Sequence, residues 1–241
     1  MPARLPDFLG LGTQKGGTTS LHNWLEAHHD VYVPKCKEIH YFDTNYDKPT
    51  NWYTDHFSSA KNNQICGEIT PFYLFHPEVP SRIKTLVPAI KMIVLLRDPV
   101  ERAISQMLHS RKRGFELLKP QEAFAAEHSR MKTGGIYSLQ KHSYISRSKY
   151  LEQMDRYESI FDRKQILVIK SEELFSENST SLDQIRKFLG LNILKGMDKI
   201  KKSNEGTNYM AIEKKLKEKL QEELESTAKG IRERYGFGWD W

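Results

Sequence analysis

A glycine-rich turn with a single lysine, close to the amino terminus, constrains the fold of this chain more than any other feature. The apolar run Phe8–Gly12 leads into Gly-Thr-Gln-Lys-Gly-Gly-Thr-Thr-Ser at residues 12–20. Glycines let backbone N–H groups converge on an anion, and a helix start adds unpaired N–H groups and the positive end of the helix dipole. The pattern predicts a strand, a loop and a helix in succession, with an anionic ligand at the loop.

The position of the lysine argues against a nucleoside triphosphatase. In a Walker A loop the lysine follows the last glycine and precedes Ser or Thr. Counted from Gly12, that position holds Thr18, whereas Lys15 lies inside the turn. The apolar run before Arg97 also lacks the metal-binding Asp of a Walker B strand. The loop therefore indicates an anion shorter than a triphosphate, bound without magnesium.

Apolar runs alternate with segments of helical periodicity along the chain. Strands are predicted at Phe8–Gly12, 64–69, Lys91–Leu96 and 165–170. Helices are predicted at 18–28, 77–87, 98–112, 121–132, 143–160 and 179–189, with a last helix from near Asn208. This alternation predicts an α/β class, three-layer P-loop-like fold with a central parallel β-sheet flanked by helices.

Two local patterns support the helix assignments. Asp98 begins the run Asp-Pro-Val-Glu, which is typical of an N-cap followed by proline at the first helical position. The last helix carries an apolar residue every fourth position, at Ile212, Leu216, Leu220 and Leu224. That stripe predicts a helix that packs on the body of the domain through one face.

Length and composition favour one soluble domain. The chain has 241 residues, 38% of them hydrophobic, and no Pro/Ser/Gly linker divides it, so a single domain over 1–241 is predicted. No aliphatic run approaches the ~20 residues of a membrane span, and the first residues lack a hydrophobic signal segment. We therefore expect a cytoplasmic protein without a membrane span.

The charge favours anionic partners without identifying them. The formal net charge is +6, but the basic runs at 111–113 and 199–202 lack interleaved aromatics. A nucleic-acid partner is therefore not predicted. The two cysteines and the histidines show no metal-ligand spacing, so no metal is expected.

Two motifs taken together resemble those of the sulfotransferases that use 3′-phosphoadenosine 5′-phosphosulfate (PAPS). They are the loop at 12–20 and Arg-Asp-Pro-Val-Glu-Arg-Ala-Ile-Ser at 97–105. In that family the first loop holds the 5′-phosphosulfate, and the Arg and Ser of the second motif hold the 3′-phosphate. A basic segment that closes over the nucleotide corresponds here to 199–208, although it lacks the Lys-Gly-Arg triplet. The resemblance implies cofactor contacts for Lys15, Gly16, Gly17, Thr18, Thr19, Ser20, Arg97, Ser105, Lys201 and Lys202.

Two further segments resemble the heparan-type carbohydrate sulfotransferases. Lys-Glu-Ile-His-Tyr-Phe at 37–42 is similar to their Lys-Glu-x-x-Phe-Phe segment, which implies Glu38 as general base. Lys15, a compact cation with three donors beside the start of a helix, is the catalytic candidate for neutralising charge on the leaving group. Gly-Glu-Ile-Thr-Pro-Phe-Tyr at 67–73 resembles their Glu-Lys-Ser/Thr-Pro-x-Tyr segment, but Ile69 replaces the lysine. That departure counts against a polyanionic glycan. The candidate acceptor-binding residues are His40, Glu68 and Tyr73, and His40 and Glu68 remain alternatives to Glu38 as the base.

The predicted activity is in-line transfer of a sulfuryl group from PAPS to an acceptor hydroxyl or amine, which releases 3′-phosphoadenosine 5′-phosphate (PAP). The acceptor is a small molecule, a lipid or a carbohydrate, and the sequence does not choose among them. The alternatives are a P-loop nucleotide kinase or NTPase, which needs the Walker order, and a non-catalytic anion-binding module, which needs no base.

Overall fold

A single parallel β-sheet organises the structure, a computed structural model that describes residues 4–177, 180–203 and 212–241. The strands within these ranges are β1 (Phe8–Gly12), β2 (Val31–Tyr32), β3 (Ile65–Ile69), β4 (Lys91–Leu96) and β5 (Ile166–Lys170). Their order across the sheet is β2-β3-β1-β4-β5, and every neighbouring pair is parallel.

Helices connect and flank these strands. In the described ranges they are α1 (Thr18–Glu26), α2 (Thr50–Asp55), α3 (Val79–Leu86), α4 (Pro99–Lys112), α5 (Pro120–Thr133), α6 (Gly135–Lys141), α7 (Tyr150–Glu158), α8 (Ser181–Leu189) and α9 (Lys214–Tyr235). The predicted α/β class with a central parallel sheet is thereby confirmed. None of the helices in these ranges is both long and apolar enough to cross a bilayer.

The chain forms two compact units. Unit 1 comprises Met1–Leu96 and Gln153–Asn204, and unit 2 comprises Arg97–Glu152 and Glu205–Trp241. Unit 1 contains the whole sheet, and all five residues of β1 are buried, as expected for a parallel strand covered on both faces. The prediction of one domain over 1–241 stays a prediction.

Apolar side chains of α1 and α8 cover one face of the sheet in unit 1. Leu21 and Leu25 of α1 and Ile185 of α8 join the same buried cluster as Ile93 and Leu95 of β4. Burial of each such side chain contributes about 1.5–3 kcal/mol, so this cluster stabilises the packing of α1 and α8 on the sheet.

Unit 2 has its own apolar core. The buried leucines of α9, at Leu216, Leu220 and Leu224, pack in one cluster with Val100 and Met107 of α4. The leucine stripe therefore packs as predicted. Helix α9 begins at Lys214, and the predicted start near Asn208 lies outside the described residues.

The cap of α4 is confirmed. The Asp98 carboxylate accepts hydrogen bonds from the N–H groups of Val100 at 2.8 Å and Glu101 at 2.9 Å. Proline at the first helical position has no N–H to leave unpaired, so this sequence fixes the start of the helix.

The prediction of one helix over 143–160 is wrong in its first part. The structure has a short 3₁₀ turn at Ser146–Ser148, and α7 begins only at Tyr150. The buried Glu127 carboxylate accepts the N–H groups of Ile145 and Ser146, both at 2.7 Å. These contacts come from a side chain 18 residues earlier in the chain, so the periodicity of 143–160 does not reveal them. The elements β2, α2 and α6 were not predicted, since each is short.

Candidate active site

The glycine-rich loop lies at the carboxyl end of β1, where ligands bind in open parallel sheets. The Thr13 N–H donates to the Leu95 carbonyl at 2.7 Å, and the Gly16 N–H donates back to the Thr13 carbonyl at 3.0 Å. Lys15 sits between them with a φ of 70°. A positive φ is uncommon outside glycine and occurs preferentially where a site holds the backbone under strain.

The two glycines that follow Lys15 leave no room for a side chain. A Cβ on Gly16 would lie 2.6 Å from Thr13 Oγ1 and 3.1 Å from the Leu95 carbonyl oxygen. Gly17 has a φ of 93°, and a Cβ there would lie 2.9 Å from the Phe175 ring. These positions present backbone alone, which is the surface that phosphate-binding loops offer.

Helix α1 begins at this loop without a side-chain cap. Gly17 is its N-cap and has no side chain to accept from the first N–H groups, and no acidic residue lies in the first turn. Thr18 and Thr19 therefore belong to a helix end with positive character. Together with the glycine backbone and Lys15, this arrangement fits an anionic phosphate or phosphosulfate group.

The segment before residue 204 is anchored on α1. The Ser20 hydroxyl accepts from the Ser203 N–H at 3.0 Å, and Asn23 donates to the Ser203 hydroxyl at 3.0 Å. Lys202 is exposed, with its Nζ 5.5 Å from the centre of the Phe175 ring, and Lys201 is exposed beside it. The rest of the predicted basic segment, 204–208, lies outside the described residues.

A second polar cluster in unit 1 joins Glu38, His40 and Asp43. His40 Nδ1 lies 2.8 Å from Asp43 Oδ2, and His40 Nε2 lies 3.6 Å from Glu38 Oε2. Lys37 Nζ lies 2.7 Å from the other oxygen of Glu38. Both Glu38 and His40 have positive φ values, 67° and 58°. The imidazole thus stands between two carboxylates, one of them partly open to solvent.

These contacts fix the charges of the cluster. Burial raises the pKa of Glu38, but the interactions with His40 and Lys37 outweigh it and lower the pKa to about 2. Burial lowers the pKa of His40, but the two carboxylates outweigh it and raise the pKa to about 9. At neutral pH the cluster therefore consists of a Glu38 carboxylate and a His40 imidazolium.

The pKa of His40 can be measured directly. We expect its ring resonances to titrate near pH 9 in an NMR experiment, and Asp43→Asn to lower this value because one carboxylate partner loses its charge. The pKa of His40 in the folded state exceeds the ordinary value of 6.5, so protonation of His40 adds to the free energy of unfolding. This stabilisation is complete below pH 6.5 and is lost as the pH rises to about 9. Titration of wild-type His40 at or below 6.5 would contradict the arrangement.

Glu68 and Tyr73 lie in the interior of unit 1. The Glu68 carboxylate is 2% exposed and accepts hydrogen bonds from Tyr53 at 2.9 Å, Tyr73 at 2.8 Å and Thr70 at 2.7 Å. Burial raises the pKa of Glu68 despite these three donors. The Tyr73 hydroxyl also accepts from the Phe42 N–H at 3.3 Å, so this network holds the backbone next to Asp43.

The second motif lies in unit 2. Arg97 directly precedes the capped start of α4, and its carbonyl accepts from the Tyr150 hydroxyl at 2.8 Å. Ser105 lies two turns into α4 and is 5% exposed. Arg97 therefore lies next to the capped start of α4, and Ser105 lies within the same helix.

One group of potential metal ligands occurs in the described part of the chain, at His28, His29 and Asp30. Both ring nitrogens of His28 already have partners, because Nε2 lies 3.1 Å from the Asn192 carbonyl and Nδ1 accepts from the Asp30 N–H at 3.2 Å. Asp30 also accepts from the Asn192 side chain at 3.1 Å. These contacts describe a turn stabilised by His28 itself and by hydrogen bonds with Asn192.

The sequence analysis did not identify two residues of this region, Asp43 and Ser171. Asp43 follows His40 by three positions, a spacing that a turn brings together, and this was the available signal. Ser171 follows the last residue of β5, and its hydroxyl donates to the Gly16 carbonyl at 2.6 Å. Its position at the carboxyl end of a strand could have indicated a place near the site. Its contact with the Gly16 carbonyl joins distant parts of the chain, so the sequence alone does not show it.

Comparison with protein families and relatives agrees with these features. The family model described as a sulfotransferase domain matches residues 5–240. Human heparan sulfate glucosamine 3-O-sulfotransferase 3B1 is 29% identical over 262 residues, which cover 98% of this chain and 65% of the relative. The membrane-associated sulfotransferase kil1 of Dictyostelium discoideum is 27% identical, with 78% of this chain and 56% of the relative covered. The chain spans less than two thirds of the length of these relatives.

Solved structures show the same fold. A sulfotransferase from Alicyclobacillus acidocaldarius superposes with a TM-score of 0.84 at 26% identity and covers 98% of both chains. Mouse sulfotransferase SULT7A1 complexed with PAP has a TM-score of 0.55 at 18% identity, with 81% of this chain and 62% of that chain covered. By its family match, its relatives and its fold, the chain is a member of the sulfotransferase family of transferases.

Proposed function

We propose that this protein transfers a sulfuryl group from PAPS to a hydroxyl or amine of a small-molecule, lipid or carbohydrate acceptor. The observation that carries the proposal is the loop of Lys15, Gly16 and Gly17, which offers only backbone and one ammonium group at an uncapped helix start. Bound there, PAPS would supply the sulfuryl group and a phosphate leaving group.

Lys15 is proposed to act at the leaving group. A lysine ammonium is a compact cation with three donors, and it neutralises negative charge that develops on the bridging oxygen. The N–H groups of Gly17, Thr18 and Thr19 would bind the remaining phosphate oxygens through the helix end. Ser20 would contact the cofactor through its backbone, because its hydroxyl accepts from the Ser203 N–H and donates to the Ser203 hydroxyl at 3.4 Å.

Glu38 is favoured as general base over the two alternatives. His40 holds its proton up to about pH 9, so it has no free nitrogen lone pair for an acceptor proton at neutral pH. Glu68 is 2% exposed and already accepts three hydrogen bonds. Glu38 is ionised and its side chain is 36% exposed. With a pKa of about 2 it is a weak base, so we expect it to take the proton only once bond formation to sulfur has acidified the acceptor.

His40, Glu68 and Tyr73 remain predicted acceptor-site residues. The burial of Glu68 and Tyr73 favours a positioning role, because their network holds the Phe42 backbone beside Asp43. Ile69, in the place of the lysine of heparan-type enzymes, is 1% exposed and brings no cation to this region. This supports an acceptor that is not a polyanion.

The residues of the second motif are proposed to bind the 3′-phosphate. Arg97 supplies a guanidinium, which forms bidentate contacts with phosphate, and Ser105 supplies a hydroxyl. Lys201 and Lys202, in unit 1, are proposed as weaker cofactor contacts through their charge.

The experiment that tests the proposal is a thermal shift of the whole chain with PAP against ATP plus Mg²⁺. A ligand that binds only the native state stabilises it by RT ln(1 + [L]/Kd), about 2.7 kcal/mol at a hundredfold excess over Kd. We expect PAP to raise the melting temperature without metal and Mg-ATP to leave it unchanged. Stabilisation by Mg-ATP alone would support the nucleotide-kinase alternative. Binding of PAP without transfer to any acceptor would support the anion-binding module.

A further inference from the structure

We propose that Ser171 is a positioning residue that aims the Gly17 N–H at the bound anion. The inference rests on the proposed function, because it names a determinant of the same loop. Ser171 follows β5 directly and is 4% exposed. Its hydroxyl already donates to the Gly16 carbonyl, so we expect its effect on the anion to pass through the backbone.

Two hydrogen bonds fix Ser171 between the sheet and the loop. Its N–H donates to the carbonyl of Leu96, the last residue of β4, at 2.7 Å. Its hydroxyl donates to the Gly16 carbonyl at 2.6 Å. The same strand end holds the other side of the loop, since the Leu95 carbonyl accepts from the Thr13 N–H at 2.7 Å. The loop is thus tied at both ends to β4.

The bond to the Gly16 carbonyl sets the direction of the next N–H group. A trans peptide unit is planar, so its C=O and N–H point in opposite directions. With the Gly16 carbonyl held toward Ser171, the Gly17 N–H must point away from Ser171. A peptide flip would reverse this and turn the negative end of the carbonyl dipole toward the anion.

A flip is more accessible at this peptide than elsewhere in the loop. Both flanking residues are glycines, which reach positive and negative φ at little cost. Gly17 has a φ of 93°, and the Phe175 ring closes the space behind it. The backbone alone therefore has only a weak preference for one orientation of the Gly16–Gly17 peptide. The hydrogen bond from the Ser171 hydroxyl favours the observed orientation.

A pair of serine variants separates positioning from ordinary stability. Ser110 is 3% exposed, and its hydroxyl donates to the Lys141 carbonyl at 2.9 Å, so Ser110→Ala removes the same type of bond as Ser171→Ala. Calorimetry of each variant with PAP and with adenosine 3′-monophosphate, at one salt concentration, reports the contribution of the 5′-phosphate. Ser171→Cys keeps the volume with a weaker donor and serves as a second variant if alanine does not fold.

We expect both alanine variants to lower the melting temperature by similar amounts. Ser171→Ala should weaken PAP binding about tenfold, the loss typical of one impaired hydrogen bond to a charged group, and leave adenosine 3′-monophosphate unaffected. Ser171→Cys should show the same selective loss, and Ser110→Ala should change neither affinity. Equal PAP affinity in Ser171→Ala and wild type, or equal losses for both nucleotides, overturns the inference while the proposed function stands. Failure of the wild type to bind PAP overturns the proposed function, and the inference with it.

Discussion

Replacement of Lys15 by methionine is expected to lower the turnover number for sulfuryl transfer by about 10²–10³-fold. This is the range found when one preorganised donor to a developing oxyanion is removed. Methionine keeps much of the side-chain length and removes the charge. Hydrogen bonds at Thr13, Gly16 and Ser171 hold the loop without the Lys15 side chain, so we expect it to keep its shape.

The measurement is the steady-state rate with labelled PAPS and the acceptor that gives the highest wild-type rate in a screen of glycans, lipids and small alcohols. Lys61→Met is the matched control, because Lys61 is an exposed lysine of unit 1 that lies outside the loop. We expect the control to retain wild-type turnover. A Lys15→Met enzyme within about threefold of wild type would remove Lys15 from the catalytic role.

Replacement of Glu38 by glutamine is expected to lower turnover at least ~10²-fold and to leave PAP affinity unchanged. General-base catalysis contributes typically 10²–10⁴-fold, and glutamine keeps the shape of the side chain without its basic oxygen. Glu26→Gln, an exposed carboxylate on α1, is the matched control and should be fully active. Full activity of Glu38→Gln would reject the assignment.

The dependence of turnover on pH is a second test of the roles of Glu38 and His40. Because the pKa of Glu38 is about 2, its carboxylate stays ionised throughout the range in which activity can be measured, and Glu38 should add no acid limb between pH 7 and pH 4. His40 loses its proton near pH 9, which removes the imidazolium between the two carboxylates. Loss of the imidazolium also raises the pKa of Glu38 and makes it a stronger base. We therefore expect turnover to change as the pH rises through about 9, and this change to be absent in His40→Gln.

The main lines of the fold follow from local sequence. The apolar runs at β1 and β4 have the bounds that were predicted, and the Asp98 cap is where its pattern indicated, because each depends on neighbours along the chain. The periodicity over 143–160 wrongly predicted one continuous helix. There the carboxylate of Glu127, on α5, accepts the N–H groups of Ile145 and Ser146. The two-residue strand β2 is too short to show any periodicity.

For the candidate site, too, the sequence could predict some features and not others. The loop at Gly16 and Gly17 and the helix start after it could be predicted, because both are encoded in adjacent residues, and the cofactor contacts of Lys15, Gly16 and Gly17 stay predictions. The charge states of Glu38 and His40 could not be predicted, because they depend on distances to Asp43 and Lys37 that only the folded chain sets. The resemblance already implied Glu38 as the base, with His40 and Glu68 as alternatives, and the structure adds the charge states that favour Glu38 over His40.

The central claim is that the loop around Lys15 binds the 5′-phosphosulfate end of PAPS. Calorimetric titration of wild type and Lys15→Met with PAP and with adenosine 3′-monophosphate tests it most directly, because the two ligands differ only in the 5′-phosphate. The account predicts that the substitution weakens PAP binding about tenfold or more and leaves binding of the 3′-monophosphate unchanged. Equal losses for both ligands, or no binding of PAP by the wild type, would contradict it.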